Sequence, residues 1–260
     1  MKISLIQPNL ILSNVEENFK IIEREIISAS KEKPDVIVLP EMWNTSFFPK
    51  DVKEKADING QRTRKFLSDL SKNLNVNIVG GSIANLVNDN LYNTSYIFDR
   101  KGKEIASYNK VHLFSPSGEH NVFKPGDKLC IFELDGIKCG LSICYDIRFV
   151  EWVRKNALEN VEIFFLPATW PDKRTMHWDT LNKARAIENQ MFVVCVNSVG
   201  TAETMKFAGH SSIIDPWGEY IIVPDSNEGI KTGEIDLSVI KDIRESINVF
   251  RDRKPELYKF

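Results

Sequence analysis

Short apolar runs that alternate with helix-spaced segments constrain this chain more than any other feature. Residues 3–6 are apolar, and residues 15–30 bring Phe19, Ile22, Ile26 and Ile27 near helical spacing behind a cap candidate, Asn14. Residues 36–39 are apolar again before Pro40 stops the run. The order strand, helix, strand is then echoed by a helical stretch at 61–73, the run 76–79 and the paired glycines Gly80 and Gly81. Further on the pattern becomes antiparallel: residues 92–98 and 104–108 flank a turn at Lys101 and Gly102, and residues 131–134 and 138–143 flank Asp135 and Gly136, a strong hairpin signal. A helix at 151–158, a buried strand at 163–166 and a helix at 177–190, with Leu181, Ala184, Ile187 and Met191 on one side, precede apolar runs at 191–196, 211–214 and 220–223. So many strands interleaved with helices predict mixed sheets covered by helices, with sheet against sheet inside.

A chain of 260 residues buries roughly 73% of its unfolded surface, enough for one core. Lys and Arg total 34 against 36 for Asp and Glu, so there is no field to hold a polyanion or an anionic membrane, and neither nucleic acid nor membrane is an expected partner. No stretch reaches the roughly 20 apolar residues of a membrane span, and the N-terminus lacks the apolar core of a signal peptide, which makes the cytoplasm the expected location. Cys130, Cys139, Cys144 and Cys195 show neither CxxC nor another metal-ligand spacing, and free thiols are expected. The charged residues at 53–55 and 251–254 read as solvated surface.

Chemistry is expected where apolar runs end in polar residues. In the stretch from Gly140 to Arg148 the strand signal stops at Cys144, where a thiol beside freshly released backbone N–H groups suits attack on an acyl carbon; a buried inert thiol is the competing reading. Glu41, in Val-Leu-Pro-Glu-Met-Trp, is a second strand-exit residue whose apolar and aromatic setting would raise its pKa and let it take a thiol proton. Lys110 interrupts a mixed apolar and aromatic stretch and can present a fixed positive charge. His112, His120, His177 and His210 leave a Cys-His arrangement open, although none has a diagnostic spacing to Cys144. No HExxH, P-loop or dinucleotide fingerprint is present, and no metal site is expected.

These residues lie in segments that resemble the carbon-nitrogen hydrolase, or nitrilase-like, superfamily over almost the whole chain. Pro40-Glu41 resembles its glutamate segment, Tyr108-Asn109-Lys110-Val111-His112-Leu113-Phe114 its lysine segment, and Ser142-Ile143-Cys144-Tyr145-Asp146-Ile147-Arg148-Phe149 its nucleophile segment. The resemblance implies Cys144 as nucleophile, Glu41 as general base and then acid, Lys110 and the Tyr145 backbone N–H as oxyanion support, and Glu119 as the additional glutamate that orients them. It implies an α/β fold, a four-layer α-β-β-α sandwich with two mixed central sheets, as a single domain over 1–260 with a C-terminal extension from about residue 237. It also implies no cofactor, and a homodimer whose two-fold patch involves helices near Glu151 or His177.

Thr169-Trp170-Pro171, His177-Trp178, residues 184–190, Asp215-Pro216-Trp217-Gly218 and the segments around Arg244 and Arg253 are most similar to the omega-amidase branch and its bacterial relatives. That branch hydrolyses the terminal amide of short 2-oxo dicarboxylic acid monoamides such as 2-oxoglutaramate, so a small amide and water are the expected partners. Arg148 is then a candidate clamp for the substrate's far carboxylate, with Phe114, Trp170 and Tyr145 as candidate pocket walls; Asp146 and Arg148 could instead pair across the nucleophile turn. Hydrolysis of another small amide or an N-carbamoyl compound, and a non-catalytic interaction protein on the same scaffold, are the alternatives.

Overall fold

The computed structural model describes residues 1–258. Its first half contains β1 (Lys2–Gln7), α1 (Val15–Ser30), β2 (Val36–Val38), α2 (Val52–Lys55), β3 (Asp57–Ile58), α3 (Gln61–Leu74), β4 (Asn77–Val79), β5 (Ile83–Val87), β6 (Asn90–Phe98), β7 (Glu104–Asn109) and α4 (Glu119–Val122). There follow β8 (Cys130–Leu134), β9 (Ile137–Leu141), α5 (Val150–Leu158), β10 (Ile163–Ala168), α6 (Thr175–Asn189) and β11 (Phe192–Asn197). The small hairpin β12 (Thr201–Ala202) and β13 (Met205–Lys206) leads to β14 (Ser212–Ile214), β15 (Tyr220–Ile222), β16 (Gly229–Glu234), α7 (Ser238–Ser246) and α8 (Val249–Asp252).

Strands form two mixed sheets. The first runs β16-β1-β2-β4-β6-β5-β3, with β7 also on β6, and the second runs β15-β14-β11-β10-β9-β8. Pairings β1/β2, β2/β4 and β9/β10/β11 are parallel, while β1/β16, β4/β6, β8/β9 and β11/β14 are antiparallel. Period-two alternation sends neighbouring side chains to different layers. Val36 and Val38 join the core between the sheets, together with Leu141, Phe165 and Val194, whereas Ile37 packs outward against Phe19, Ile22 and Ile26 of α1 and Leu67 of α3. On the far side Val153 of α5 and Trp178 and Ala186 of α6 close the second sheet. The result is the four-layer α-β-β-α sandwich.

Local signals account for most boundaries. The Asn14 side chain accepts the Glu17 N–H at 3.2 Å and starts α1 as a helix cap. The buried face of α1 is the expected one apart from Ile27, while the face of α6 differs. Ile27 is exposed on α1, and α6 turns Trp178, Asn182, Arg185, Ala186 and Asn189 inward while Ile187 is exposed. The helix follows its polar stripe because Arg185 has a specific buried task, described below. Strand β16, with the sequence Gly-Ile-Lys-Thr-Gly-Glu, carries no apolar run and was legible only through its partner β1, which pairs along its length from Lys2↔Glu234 to Gln7↔Gly229.

Candidate active site

Four chain segments deliver polar side chains to one rim of the two sheets. Beyond β9, the chain makes a 3₁₀ turn over Cys144–Arg148, and Cys144 itself holds φ +47°. An L-residue resists that left-handed conformation, so neighbours must impose it. Asp146, fully buried, is the anchor: Oδ2 accepts the Ile143 N–H at 2.9 Å and the Tyr108 hydroxyl at 2.7 Å, and Oδ1 accepts the His112 backbone N–H at 2.8 Å and lies 2.7 Å from His112 Nδ1. From the helix layer, Arg185 Nε donates to the Ile147 carbonyl at 3.0 Å. Asp146 therefore does not pair with Arg148; it faces inward, where the Ile143 N–H at the head of the turn and the Tyr108 and His112 donors of the lysine segment meet its carboxylate.

Glu41 leaves β2 through Leu39 and Pro40, and its N–H donates across to the Ala168 carbonyl of the other sheet at 3.3 Å. Gly81 makes that passage possible, since at φ +59° a Cβ would stand 2.0 Å from the Pro40 carbonyl oxygen. Lys110 follows β7, held by its N–H to the Asn93 carbonyl at 2.9 Å and by the Gly126 N–H to its own carbonyl at 2.9 Å. Its ammonium lies between two carboxylates, 2.8 Å from Glu41 Oε1 and 3.0 and 2.9 Å from the two oxygens of Glu119. Glu119 Oε2 is fixed by the Phe114 N–H at 2.6 Å. All three charged side chains are at most 3% exposed.

Glu41 accepts four hydrogen bonds. Besides Lys110, Asn93 Nδ2 reaches Oε1 at 2.8 Å, and the Thr169 N–H and hydroxyl both reach Oε2 at 2.7 Å. Burial by itself pushes the Glu41 carboxyl up, but the Lys110 ammonium and Thr169 hold it below the ordinary carboxylate range. This corrects the expectation of a raised value: the apolar and aromatic neighbours in sequence are not the groups that touch the carboxylate. Burial followed by the Glu41 charge pushes the Cys144 thiol well above its ordinary value, with Lys110 offsetting part of the effect. The resting pair is accordingly a neutral thiol facing a carboxylate. Burial would favour a neutral Lys110, yet Glu119 and Glu41 together hold its ammonium well above the usual range.

Cys144, Lys110 and Thr169 line a recess with about 360 Å³ of empty space, walled by Phe47, Phe114, Tyr145, Trp170 and Met205 and bearing Arg148 and Arg174. Arg148 stacks 4.7 Å above the Trp170 ring and lies 3.2 Å from His177 Nδ1, while Arg174 stacks 5.0 Å from the Phe114 ring. Burial and then the nearby Arg174 charge push the Arg148 pKa down, as expected for two like charges sharing one concavity. His112 is committed to Asp146 and His210 lies 3.0 Å from Asp179 Oδ2, so both are engaged elsewhere, whereas the Cys144 thiol is in contact with Glu41. Among the described residues the Tyr145 N–H, next to the nucleophile, has no backbone acceptor.

The carbon-nitrogen hydrolase family model matches residues 2–245. This chain belongs to the carbon-nitrogen hydrolase family. It is 43% identical over 256 residues to the 2-oxoglutaramate amidase of Bacillus subtilis, covering 98% of each chain, and 32% identical to the human omega-amidase NIT2, covering 90% of this chain and 88% of the other. Its structure superposes on Nit3 of Saccharomyces cerevisiae, a member of branch 10 of the nitrilase superfamily, with a TM-score of 0.91 at 28% identity, covering 98% of this chain and 96% of that one.

This carbon-nitrogen hydrolase thus places Glu41, Lys110, Glu119 and Cys144 together, with Arg148, Phe114, Trp170 and Tyr145 around the recess. Asn93, Arg174, Phe47 and Met205 were not singled out. Arg174 shares the strand-exit loop of Trp170 and Pro171, a placement that would have pointed to it. Asn93 carried no signal, because an asparagine inside a strand resembles any other polar position until its neighbours are known. For the hydrolase's nucleophile turn, Asp146→Ala should lower unfolding stability by about 3 kcal/mol, since it strands several buried donors at once. A urea midpoint unchanged from wild type would remove Asp146 as the anchor.

Proposed function

We propose that this hydrolase cleaves the terminal amide of short 2-oxo dicarboxylic acid monoamides, 2-oxoglutaramate among them, releasing ammonia through a Cys144 thioester. One observation carries the reading: the recess that presents Cys144 also holds two guanidiniums, Arg148 and Arg174, and no carboxylate is among the described residues that line it. A substrate with an amide at one end and a 2-oxo acid at the other supplies the missing anion, and guanidinium donors suit a carboxylate and its adjacent carbonyl. The small volume and the Phe114 and Trp170 walls favour a short chain. Similarity to the Bacillus subtilis 2-oxoglutaramate amidase supports the same substrate class.

In this reading Glu41 takes the Cys144 proton as sulfur attacks the amide carbon. Lys110 Nζ and the Tyr145 N–H stabilise the oxyanion. The proton passes from Glu41 to the amide nitrogen as the carbon-nitrogen bond breaks and ammonia leaves. Glu41 then takes a proton from water as that water attacks the thioester, and the acid departs with the thiol restored.

Ammonia release should be strongest from 2-oxoglutaramate and 2-oxosuccinamate, compared with glutamine, asparagine and simple aliphatic amides. Arg148→Leu and Arg174→Leu should each raise KM for the 2-oxo acids by roughly 10- to 100-fold, the scale of a hydrogen bond to a charged group, while a neutral amide changes little. Equal losses on charged and neutral amides would remove the clamp. Preferred turnover of N-carbamoyl compounds would move the substrate class, and no release from any amide would leave an interaction protein on a hydrolase scaffold.

A further inference from the structure

The two oxygens of Glu41 have unlike surroundings. Oε1 faces Lys110 Nζ at 2.8 Å and Asn93 Nδ2 at 2.8 Å, and an ammonium or an amide nitrogen can only donate. A proton placed on Oε1 would point at hydrogens. Oε2 faces the Thr169 N–H and the Thr169 hydroxyl, both at 2.7 Å. Of the four partners only the hydroxyl carries lone pairs as well as a hydrogen and can reverse its role. Thr169 itself lines the recess beside Cys144.

We propose that the proton moved in the reaction travels on Oε2 of Glu41, and that Thr169 is a positioning residue whose hydroxyl turns from donor to acceptor as that proton arrives. This rests on the reading of Glu41 as the general base. When the sulfur-carbon bond forms, the thiol proton passes to Oε2, the amide π electrons move to oxygen, and the Thr169 hydroxyl rotates to accept from the new Glu41 O–H. When the carbon-nitrogen bond breaks, its electron pair leaves with nitrogen, which takes the proton from Oε2, and the hydroxyl turns back to donate. Water attacking the thioester repeats the exchange. Lys110 and Asn93 keep their bonds to Oε1 throughout, so the ammonium stays aimed at the developing oxyanion instead of being displaced at each proton transfer.

The titratable groups around Glu41 are Lys110 on Oε1, Cys144, and Glu119 on the far side of that ammonium. Removing the Thr169 hydroxyl takes a donor from the carboxylate and leaves its acid form without an acceptor. The carboxylate is the form that acts as base, and the bond to that charged form is the stronger of the two, so its loss outweighs the lost acceptor and moves the acid limb of the kcat/KM profile to higher pH. Profiles should be recorded for wild type, Thr169→Ser, Thr169→Val and Glu41→Gln on whichever amide gives the greatest ammonia release. Thr169→Val should shift the limb up by about one unit and lower kcat about tenfold, while Thr169→Ser stays within about twofold of wild type. A Thr169→Val profile and kcat matching wild type would overturn the proposal with the Glu41 reading intact, provided Glu41→Gln is inactive. Full activity in Glu41→Gln would overturn both. Equal damage from serine and valine would assign the effect to packing and also overturn it. Should the valine variant not fold, Thr169→Ala makes the same comparison, and an unshifted limb with undiminished kcat is again the overturning result.

Discussion

Cys144→Ala is expected to lower ammonia release by about 10⁴-fold or more, because the step that forms the thioester has no substitute nucleophile. Its fold should hold. The substitution removes a single sulfur from a residue that borders the recess, and alanine keeps the left-handed backbone at φ +47° no better and no worse than cysteine does. The stability change is expected to stay within about 1 kcal/mol. Glycine at the same position should recover part of the roughly 1 kcal/mol that a left-handed L-residue costs, so Cys144→Gly should melt above Cys144→Ala while being equally inactive. That order of melting temperatures would show backbone strain held at the nucleophile; the reverse order would mean the turn tolerates a side chain freely. Turnover by either variant at the wild-type rate would remove Cys144 from the chemistry.

Lys110→Met should damage stability and catalysis together. Among the described residues Lys110 is the one cation between Glu41 and Glu119, at 2.8 Å and 2.9 Å from their oxygens, and its removal leaves two buried carboxyls facing each other. Breaking a buried ion pair from one side costs about 3–5 kcal/mol. The pH dependence has a definite sign. In the wild type the Glu41 carboxyl is held low, so its contribution is present above the unfolded carboxyl pKa and is lost as the solution is acidified through the folded value. In the variant, burial, the largest influence on Glu41, is opposed by the hydrogen bonds from Thr169 and Cys144 without the Lys110 charge, and the folded Glu41 pKa is expected to rise above the unfolded one. The deficit should then be smallest below the unfolded carboxyl pKa and grow as pH rises through the folded value. Urea titrations at acidic and neutral pH measure this directly, and a deficit that does not vary with pH would contradict it. Loss of the oxyanion donor should lower kcat by a further 10²- to 10³-fold.

Much of this architecture was legible in the residues because its strands are short, apolar and bounded by turn residues. Val36, Ile37 and Val38 announce a strand buried on both faces, and Asp135-Gly136 announces the β8/β9 hairpin. The inward face of α6 was not legible. Hydrophobic spacing favoured Leu181 and Ile187, while the structure buries Asn182, Arg185 and Asn189: Arg185 donates to the Ile147 carbonyl, and the two asparagines donate to the Trp178 and Arg185 carbonyls of their own helix. A polar stripe can outrank an apolar one when it satisfies a buried backbone group.

The active residues divide in the same way. By itself, the sequence determined which residue types stand at strand exits, Glu41 after Pro40, Lys110 after Asn109 and Cys144 after Ile143, since an apolar run that stops at a polar residue is a local signal. Only the tertiary structure decided what those groups are. Asn93, Thr169 and Arg174 come from other segments, and Thr169 alone makes two contacts to a carboxylate 128 positions earlier in the chain. The Lys110 ammonium first, and Thr169 after it, reversed the expected direction of the Glu41 shift, because a pKa responds to charges and donors a few ångströms away in space, whatever their distance along the chain.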